Sequence, residues 1–299
     1  MTLVDKRKYL DPETVARLAN MALRARLVVE GYLIGQHKSP YHGFSVEFAE
    51  HRAYGPGDET RHIDWKLFGK TDRYYIKRFE EETNLRSYIL LDTSRSMTFS
   101  SGKVSKLEYG SYLTAALAYL MLNQRDGIGL VTFDDAIRQF IPPRSTSTHV
   151  NTILQKLDTI SPGRDTRIQP VLDEMAERIK KRGLVILISD LLDNPDEVIS
   201  GLRHFRHYKQ EIILFHILDR AELDFNFQNR TRFKDLESGL MISTEPWLIR
   251  SSYQTALENF QLQYRKHCRK QRIDYVPLIT DYPLDLALNE YLRKRQRLG

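Results

Sequence analysis

Asp92, Ser94 and Ser96 stand at alternate positions directly after the apolar run Tyr88-Ile89-Leu90-Leu91. Thr166 lies in the stretch Gly163-Arg164-Asp165-Thr166, and Asp190 follows the apolar run Leu184 to Ser189. Together these side chains offer carboxylate and hydroxyl oxygen, with no His or Cys among them. Oxygen-only donors suit a hard divalent cation, Mg2+ first and Mn2+ or Ca2+ next, and they disfavour zinc. Hydroxyl ligands are neutral, so such a site keeps its attraction for an anion. A metal held by few charges, with an open position, is poised to capture an Asp or Glu of a partner protein.

Other chemistry fits the same residues less well. An Asp after a strand can simply cap the next helix, but that accounts for one cluster and not for three. A haloacid-dehalogenase-like phosphatase needs a second acid two residues after its Asp, and that position holds Ser94. Ser96 is not in a Gly-x-Ser-x-Gly elbow, and no His is placed to mark it as the base of a serine nucleophile. The stretch Gly55 to Thr60, GPGDET, lacks the Lys-Ser/Thr of a phosphate-binding loop, which argues against ATP hydrolysis.

The elements that must position these residues follow from apolar patterning. SYILLD, GIGLVTFD, GLVILISD, EIILFHILD and DYVPLIT are strands, and RQFIP is a shorter one suited to an edge. Helical spacing appears over Pro12 to Leu33, Leu107 to Leu122, Val150 to Ile160, Gln169 to Lys181, Pro195 to Tyr208 and Leu284 to Arg295. The helix from Pro195 carries Pro near its first turn, and the helix from Gln169 is preceded by SPGRDT as its cap. Near-continuous Val/Ile/Leu strands alternating with helices predict an α/β fold with a doubly wound, mostly parallel sheet covered on both faces. In such sheets ligands bind at the carboxyl ends of the strands, which is where the polar clusters fall. Residues 1–86 form an N-terminal extension, a helix followed by irregular segments and short strands. Residues 87–299 form the sheet domain, and RTRFKDLESGLMIS predicts a hairpin insertion near 219–250.

Composition bounds the function class. The 299 residues are 41% hydrophobic and 28% charged, which suits a soluble globular chain able to bury a full core. No apolar stretch approaches the roughly 20 residues needed to span a bilayer. The nearest candidate, Met21 to Ile34, carries Arg24, Arg26 and Glu30. The start of the chain has no apolar core behind its basic residues, and a lone Cys268 forms no intrachain disulfide, so a cytoplasmic location is expected. The 45 Lys+Arg against 39 Asp+Glu give +6, and much of the excess falls between Tyr264 and Leu298. A basic stripe without a recognisable motif reads first as a solvated helix face, and only second as a patch for an acidic partner or nucleic acid.

Asp-x-Ser-x-Ser after the first core strand, a loop Thr and an Asp after a later strand resemble the metal-ion-dependent adhesion site of von Willebrand factor A domains. Upstream, EFAEHRAYGPGDETRHIDWK resembles the signature of the bacterial domain-of-unknown-function 58 family. The matching residues are Arg52, Tyr54, Gly57, Asp58, Arg61, Ile63, Asp64 and Trp65. They suit either an ion-pair network anchored by Trp65 or a partner-docking surface. The resemblance implies a von Willebrand factor A-like domain in which Asp92, Ser94, Ser96, Thr166 and Asp190 are metal-site residues. Ser94 and Ser96 would then bind directly, and the acids could act through water. Arg167 departs from the acidic or amide residue that often follows the loop Thr. Many family members carry a pair of N-terminal membrane helices, which this sequence lacks. Members often lie in operons beside MoxR-type AAA+ ATPases, which implies an adaptor or assembly role. The function expected is a metal-dependent protein-protein interaction module rather than an enzyme. A metal-dependent hydrolase acting on phosphoesters is the alternative, and it lacks an evident general base.

Overall fold

The structure, a computed structural model, describes residues 20–36, 51–53, 68–69, 74–77, 85–236 and 239–296. The chain divides into two compact units, residues 1–38 with 85–299, and residues 39–84. In the smaller unit, strand β1 (His51–Ala53) pairs antiparallel with β2 (Tyr75–Lys77), placing Arg52 opposite Ile76.

The larger unit is built on one six-stranded sheet. Its strands are β3 (Arg86–Asp92), β4 (Gly127–Phe133), β5 (Ile137–Arg144), β6 (Leu184–Ser189), β7 (Glu211–Leu218) and β10 (Asp274–Ile279), in the order β10-β7-β6-β3-β4-β5. Every neighbour pair is parallel except β4 with β5. The two edge strands carry the prolines, Pro142 and Pro143 on β5 and Pro277 on β10, where a missing ladder donor is tolerated. The mostly parallel sheet read from the apolar runs is the sheet observed.

Helices cover both faces. One face holds α1 (Met21–Gln36), α2 (Lys106–Asn123), α3 (Ser147–Asp158) and α8 (Asp285–Gln296); the other holds α4 (Ile168–Arg178), α5 (Pro195–His207) and α7 (Pro246–Lys270). The pleat sorts each strand between them. Ile89, Leu91, Ile186, Ile188, Ile213 and Phe215 face the first layer, while Leu90, Val185, Leu187, Ile212 and Leu214 face the second. Buried side chains of this kind contribute about 1.5–3 kcal/mol each. Met21, Ala25 and Val28 of α1 enter the first core, and the Met21 amide donates to the Asp158 carboxylate at 3.0 Å, so this helix belongs to the sheet unit.

Between β7 and α7 the rhythm breaks into a short helix, α6 (Arg220–Asp224), and an antiparallel hairpin of β8 (Thr231–Lys234) and β9 (Met241–Thr244). Asp219 caps α6, and the side chain of Glu222 closes the capping box on the Asp219 amide at 2.8 Å. Among the described residues, no helix is long and apolar enough to cross a membrane.

Candidate metal centre

β3 and β6 are neighbours in register, Leu91 opposite Ile188, so Asp92 and Ser189 emerge side by side at the carboxyl edge. The Asp92 side chain is wholly buried. One oxygen accepts the Ser94 amide at 2.9 Å and the other accepts the Ser189 hydroxyl at 2.6 Å. The chain then turns into a single 3-10 turn over Ser96–Thr98, which brings the Ser94 and Ser96 hydroxyls to 3.0 Å from each other. Both serines are buried.

The loop carrying Thr166 is tied to this turn. The Gly163 amide donates to the Thr93 carbonyl at 2.6 Å and the Arg95 amide donates to the Arg164 carbonyl at 2.9 Å. Asp134, at the end of β4, clamps the same loop by accepting the Arg164 amide at 2.8 Å. Gly163 packs so closely on that carboxylate that a Cβ there would collide with it. Thr166 is buried in this loop. Three strand ends and one loop thus converge, and Asp92, Ser94 and Ser96 share one turn with Thr166 tethered beside them.

Asp190 is placed differently. It follows β6 and is buried, and it is followed by Leu191 in the left-handed region at φ 58. That conformation is uncommon for a branched residue and marks a turn held by its surroundings. The Leu191 amide donates to the Ser189 hydroxyl at 2.9 Å, so Ser189 links Asp92 to the turn after Asp190. The Asp190 carboxylate itself pairs at 2.7 Å with the ammonium of Lys106, which reaches Glu222 of α6 at 2.7 Å as well. Lys106 is 1% exposed, in the first turn of α2 behind the Ser105 cap. Burial alone would depress this ammonium, but Asp190 and Glu222 outweigh it and hold it above the ordinary lysine value.

Asp92 forms no salt bridge among the described residues. Burial pushes its carboxyl up to about 7, with the negative charge of Asp190 adding to the rise, against the opposing hydrogen bonds of Ser189 and Ser94. The donor set therefore fits a hard divalent cation: a buried carboxylate with no salt bridge among the described residues, beside the buried hydroxyls of Ser94 and Ser96. Among the described residues, no group of three or more His, Cys, Asp or Glu is arranged to hold a metal.

The residues that sequence reasoning did not single out are Lys106, Glu222, Ser189 and Asp134. Ser189 was hidden because every residue of β6 is buried and its one hydroxyl breaks no period. The helix from Ile168 is also capped otherwise than SPGRDT implies: its first residue, Ile168, donates its amide to Asp193 at 2.7 Å, from the loop after β6. Of the upstream signature, Arg52 lies in β1, and Tyr54, Gly57, Asp58, Arg61, Ile63, Asp64 and Trp65 lie outside the described residues.

A six-stranded sheet with one antiparallel edge, helices on both faces and Asp-x-Ser-x-Ser leaving its third-from-edge strand define a von Willebrand factor A-like α/β protein. Residues 50–262 match the family described as protein of unknown function DUF58, and the chain belongs to that family. It is 24% identical over 234 residues to the Mycobacterium tuberculosis protein Rv1480, covering 77% of this chain and 73% of that one. Among solved structures it is similar to the conserved hypothetical protein BatB from Bacteroides thetaiotaomicron, with TM-score 0.50 and 15% identity, over 71% of this chain and 99% of that one. It also aligns with the SpRpn10 VWA domain at TM-score 0.41 and 11% identity, over 69% and 95% of the two chains.

Proposed function

We propose that this chain is a metal-dependent protein-binding module whose carboxyl sheet edge captures an acidic side chain of a partner. The observation that carries the reading is Asp92, wholly buried next to Asp190 and without a salt bridge among the described residues. Asp92, Ser94, Ser96, Thr166 and Asp190 would hold Mg2+, with Mn2+ or Ca2+ suited by the same oxygen chemistry. A bound ion supplies an open coordination position for a carboxylate oxygen. The chain's own groups do the rest. Ser189 and the Ser94 amide fix both oxygens of Asp92, and Lys106 keeps Asp190 from swinging freely. Around the cluster, Arg95, Arg164 and Arg167 are exposed on the same loops, a positive rim that favours an acidic partner and disfavours a basic one. Family resemblance makes a MoxR-type AAA+ ATPase the partner we propose, with this chain as its adaptor or assembly factor.

A hydrolase acting on phosphoesters would need a general base beside the ion. His216, next to Ser189 across β6 and β7, is buried and bonded through Nδ1 to the Tyr275 hydroxyl at 2.6 Å, and its Nε2 is buried without a hydrogen-bond partner among the described residues, closed off from water. No observation favours the hydrolase.

Calorimetric titration tests the reading. Wild type should bind Mg2+ weakly, and Asp92→Ala should abolish binding while the circular dichroism of the fold is retained. Capture of the ATPase should be lost in chelator and weakened by Ser96→Ala. Unchanged Mg2+ affinity in Asp92→Ala, or capture that survives chelation, would sink the proposal.

A further inference from the structure

The opposite edge of the sheet, where β6, β7 and β10 begin, carries a cleft of about 620 Å³. Seven Lys/Arg side chains and three carboxylates line it, a net +4 within one concavity, in a chain whose total is +6. The carboxylates are already neutralised inside the cleft. Lys294, 5% exposed, bridges Glu211 at 2.8 Å and Asp274 at 3.1 Å, and Arg293 pairs with Glu290 at 3.0 Å. Arg182, Arg265, Arg269 and Arg272 remain. All four are exposed, and none forms a salt bridge among the described residues.

Basic residues at a helix C-terminus complement its carbonyls, and this accounts for Arg269 in the last turn of α7. It does not account for Arg182, in the loop before β6, for Arg265, one turn further back, or for Arg272, past the helix end at φ 56. The positive field is felt inside the cleft. Burial would raise the Glu211 carboxyl, but Lys294, Arg206 and Arg182 outweigh it and hold it below the ordinary value. Unpaired guanidiniums gathered around one hollow repel one another, and an oxyanion relieves that repulsion.

We propose that this cleft is a binding site for a small ligand carrying two or three linked phosphate groups. Guanidinium forks bind phosphate oxygens bidentately, and a single carboxylate cannot satisfy four of them, whereas a linked phosphate chain can. The hollow has the size of a small-molecule site rather than of an open nucleic-acid track. Half-buried Tyr275 and Val276, with Ile273, add an apolar wall that suits a ring attached to the phosphates. The proposal does not depend on the metal reading, because it uses none of the same residues.

The test is calorimetry on the full chain with inorganic triphosphate, pyrophosphate and orthophosphate, free of divalent cations, at about 0.15 M salt, where exposed charges are largely screened beyond ~8 Å. Affinity should rise with the number of linked phosphates. Arg265→Ala or Arg272→Ala should each weaken triphosphate about tenfold or more, the usual cost of a charge-assisted hydrogen bond. Arg272→Lys, which keeps the charge and loses the fork, should weaken it too. Arg232→Ala, on the exposed hairpin, should change nothing. ATP binding more tightly than triphosphate would assign the apolar wall to the base, and equal binding would confine recognition to the phosphates. Absence of triphosphate binding, an equal loss in Arg232→Ala, or a single-stranded oligonucleotide that binds more than tenfold tighter than triphosphate would overturn the proposal, the last in favour of nucleic acid.

Discussion

The two edges of the same sheet solve opposite electrostatic problems. At the carboxyl edge the innermost charges are carboxylates: Asp190 shares the ammonium of Lys106 with half-buried Glu222, and the buried Asp92 beside them forms no salt bridge among the described residues. At the amino edge they are exposed and positive, with four guanidiniums around a cleft that form no salt bridge among the described residues. The difference follows from where side chains end. Short Asp and Ser at strand ends cannot reach water, so their desolvation must be offset by hydrogen bonds and a counter-charge. Long Arg side chains on helix ends lay their stems on the protein and keep their heads in solvent, so their mutual repulsion is cheap. The carboxyl edge should therefore respond strongly to loss of a charge, and the amino edge weakly.

Lys106→Met provides the largest response. The substitution keeps the packing volume but leaves Asp190 and Glu222 without their cation in a buried site. Breaking a buried pair on one side costs about 3–5 kcal/mol. Urea unfolding should show that loss, and excess Mg2+ should return part of it, since a bound cation restores the missing charge and stabilises by linkage. A loss below about 1 kcal/mol would mean that the two carboxylates rehydrate freely, and the contrast between the edges would vanish.

A second test uses pH, in chelator. Asp92 has its folded carboxyl raised to about 7, so it contributes stability that is fully present below its unfolded value near 4 and is lost as pH rises to 7. His216 runs the other way. Burial lowers its imidazole to about 4, with Asp190 pulling it upward less strongly, so its contribution is present above the unfolded value near 6.5 and is lost as pH falls to 4. The two slopes oppose one another over the same window. Wild type should therefore change little in stability between pH 4 and 7 on their account. Asp92→Asn should become less stable toward pH 4, and His216→Gln less stable toward pH 7, each by on the order of 3 kcal/mol. Parallel pH profiles for the two variants would show that these groups titrate normally.

The same contrast decides what the sequence could show. Strands buried on both faces must be apolar throughout, so β3, β4, β6 and β7 stood out as unbroken runs, and with them the doubly wound sheet. Because strands end where apolar runs end, Asp92, Ser94, Ser96 and Asp190 could be placed at one edge without coordinates. Lys106 could not. Its partners lie 84 and 116 residues away, and a single Lys at a helix start carries no local mark of burial. Nor could the cap of α4 be read locally, since Asp193 reaches it from the loop after β6. The amino-edge cleft was visible only as a late basic excess. The arginines come from three places, the loop before β6, α7 and the turn after it, and the sequence holds their number but not their convergence.

The smallest expected effect is the influence of one edge on the other. A strand of seven residues spans about 20 Å, which exceeds the ~8 Å screening length of physiological salt. Removing positive charge from the amino edge should then leave the carboxyl edge unaffected. We expect the triple variant Arg265→Ala/Arg269→Ala/Arg272→Ala to bind Mg2+ within about twofold of wild type, as distant sites without shared partners do. Triphosphate must be absent from that titration, because it chelates Mg2+ in solution. Arg265 adds to the positive field at His216, which also feels Asp190, so this is the route by which coupling would travel if it exists. A change in Mg2+ affinity well beyond twofold, present in Arg265→Ala alone and absent when His216→Gln is added, would identify that route. It would also turn two independent edges into one linked system, in which a phosphate ligand at one end sets the metal affinity at the other.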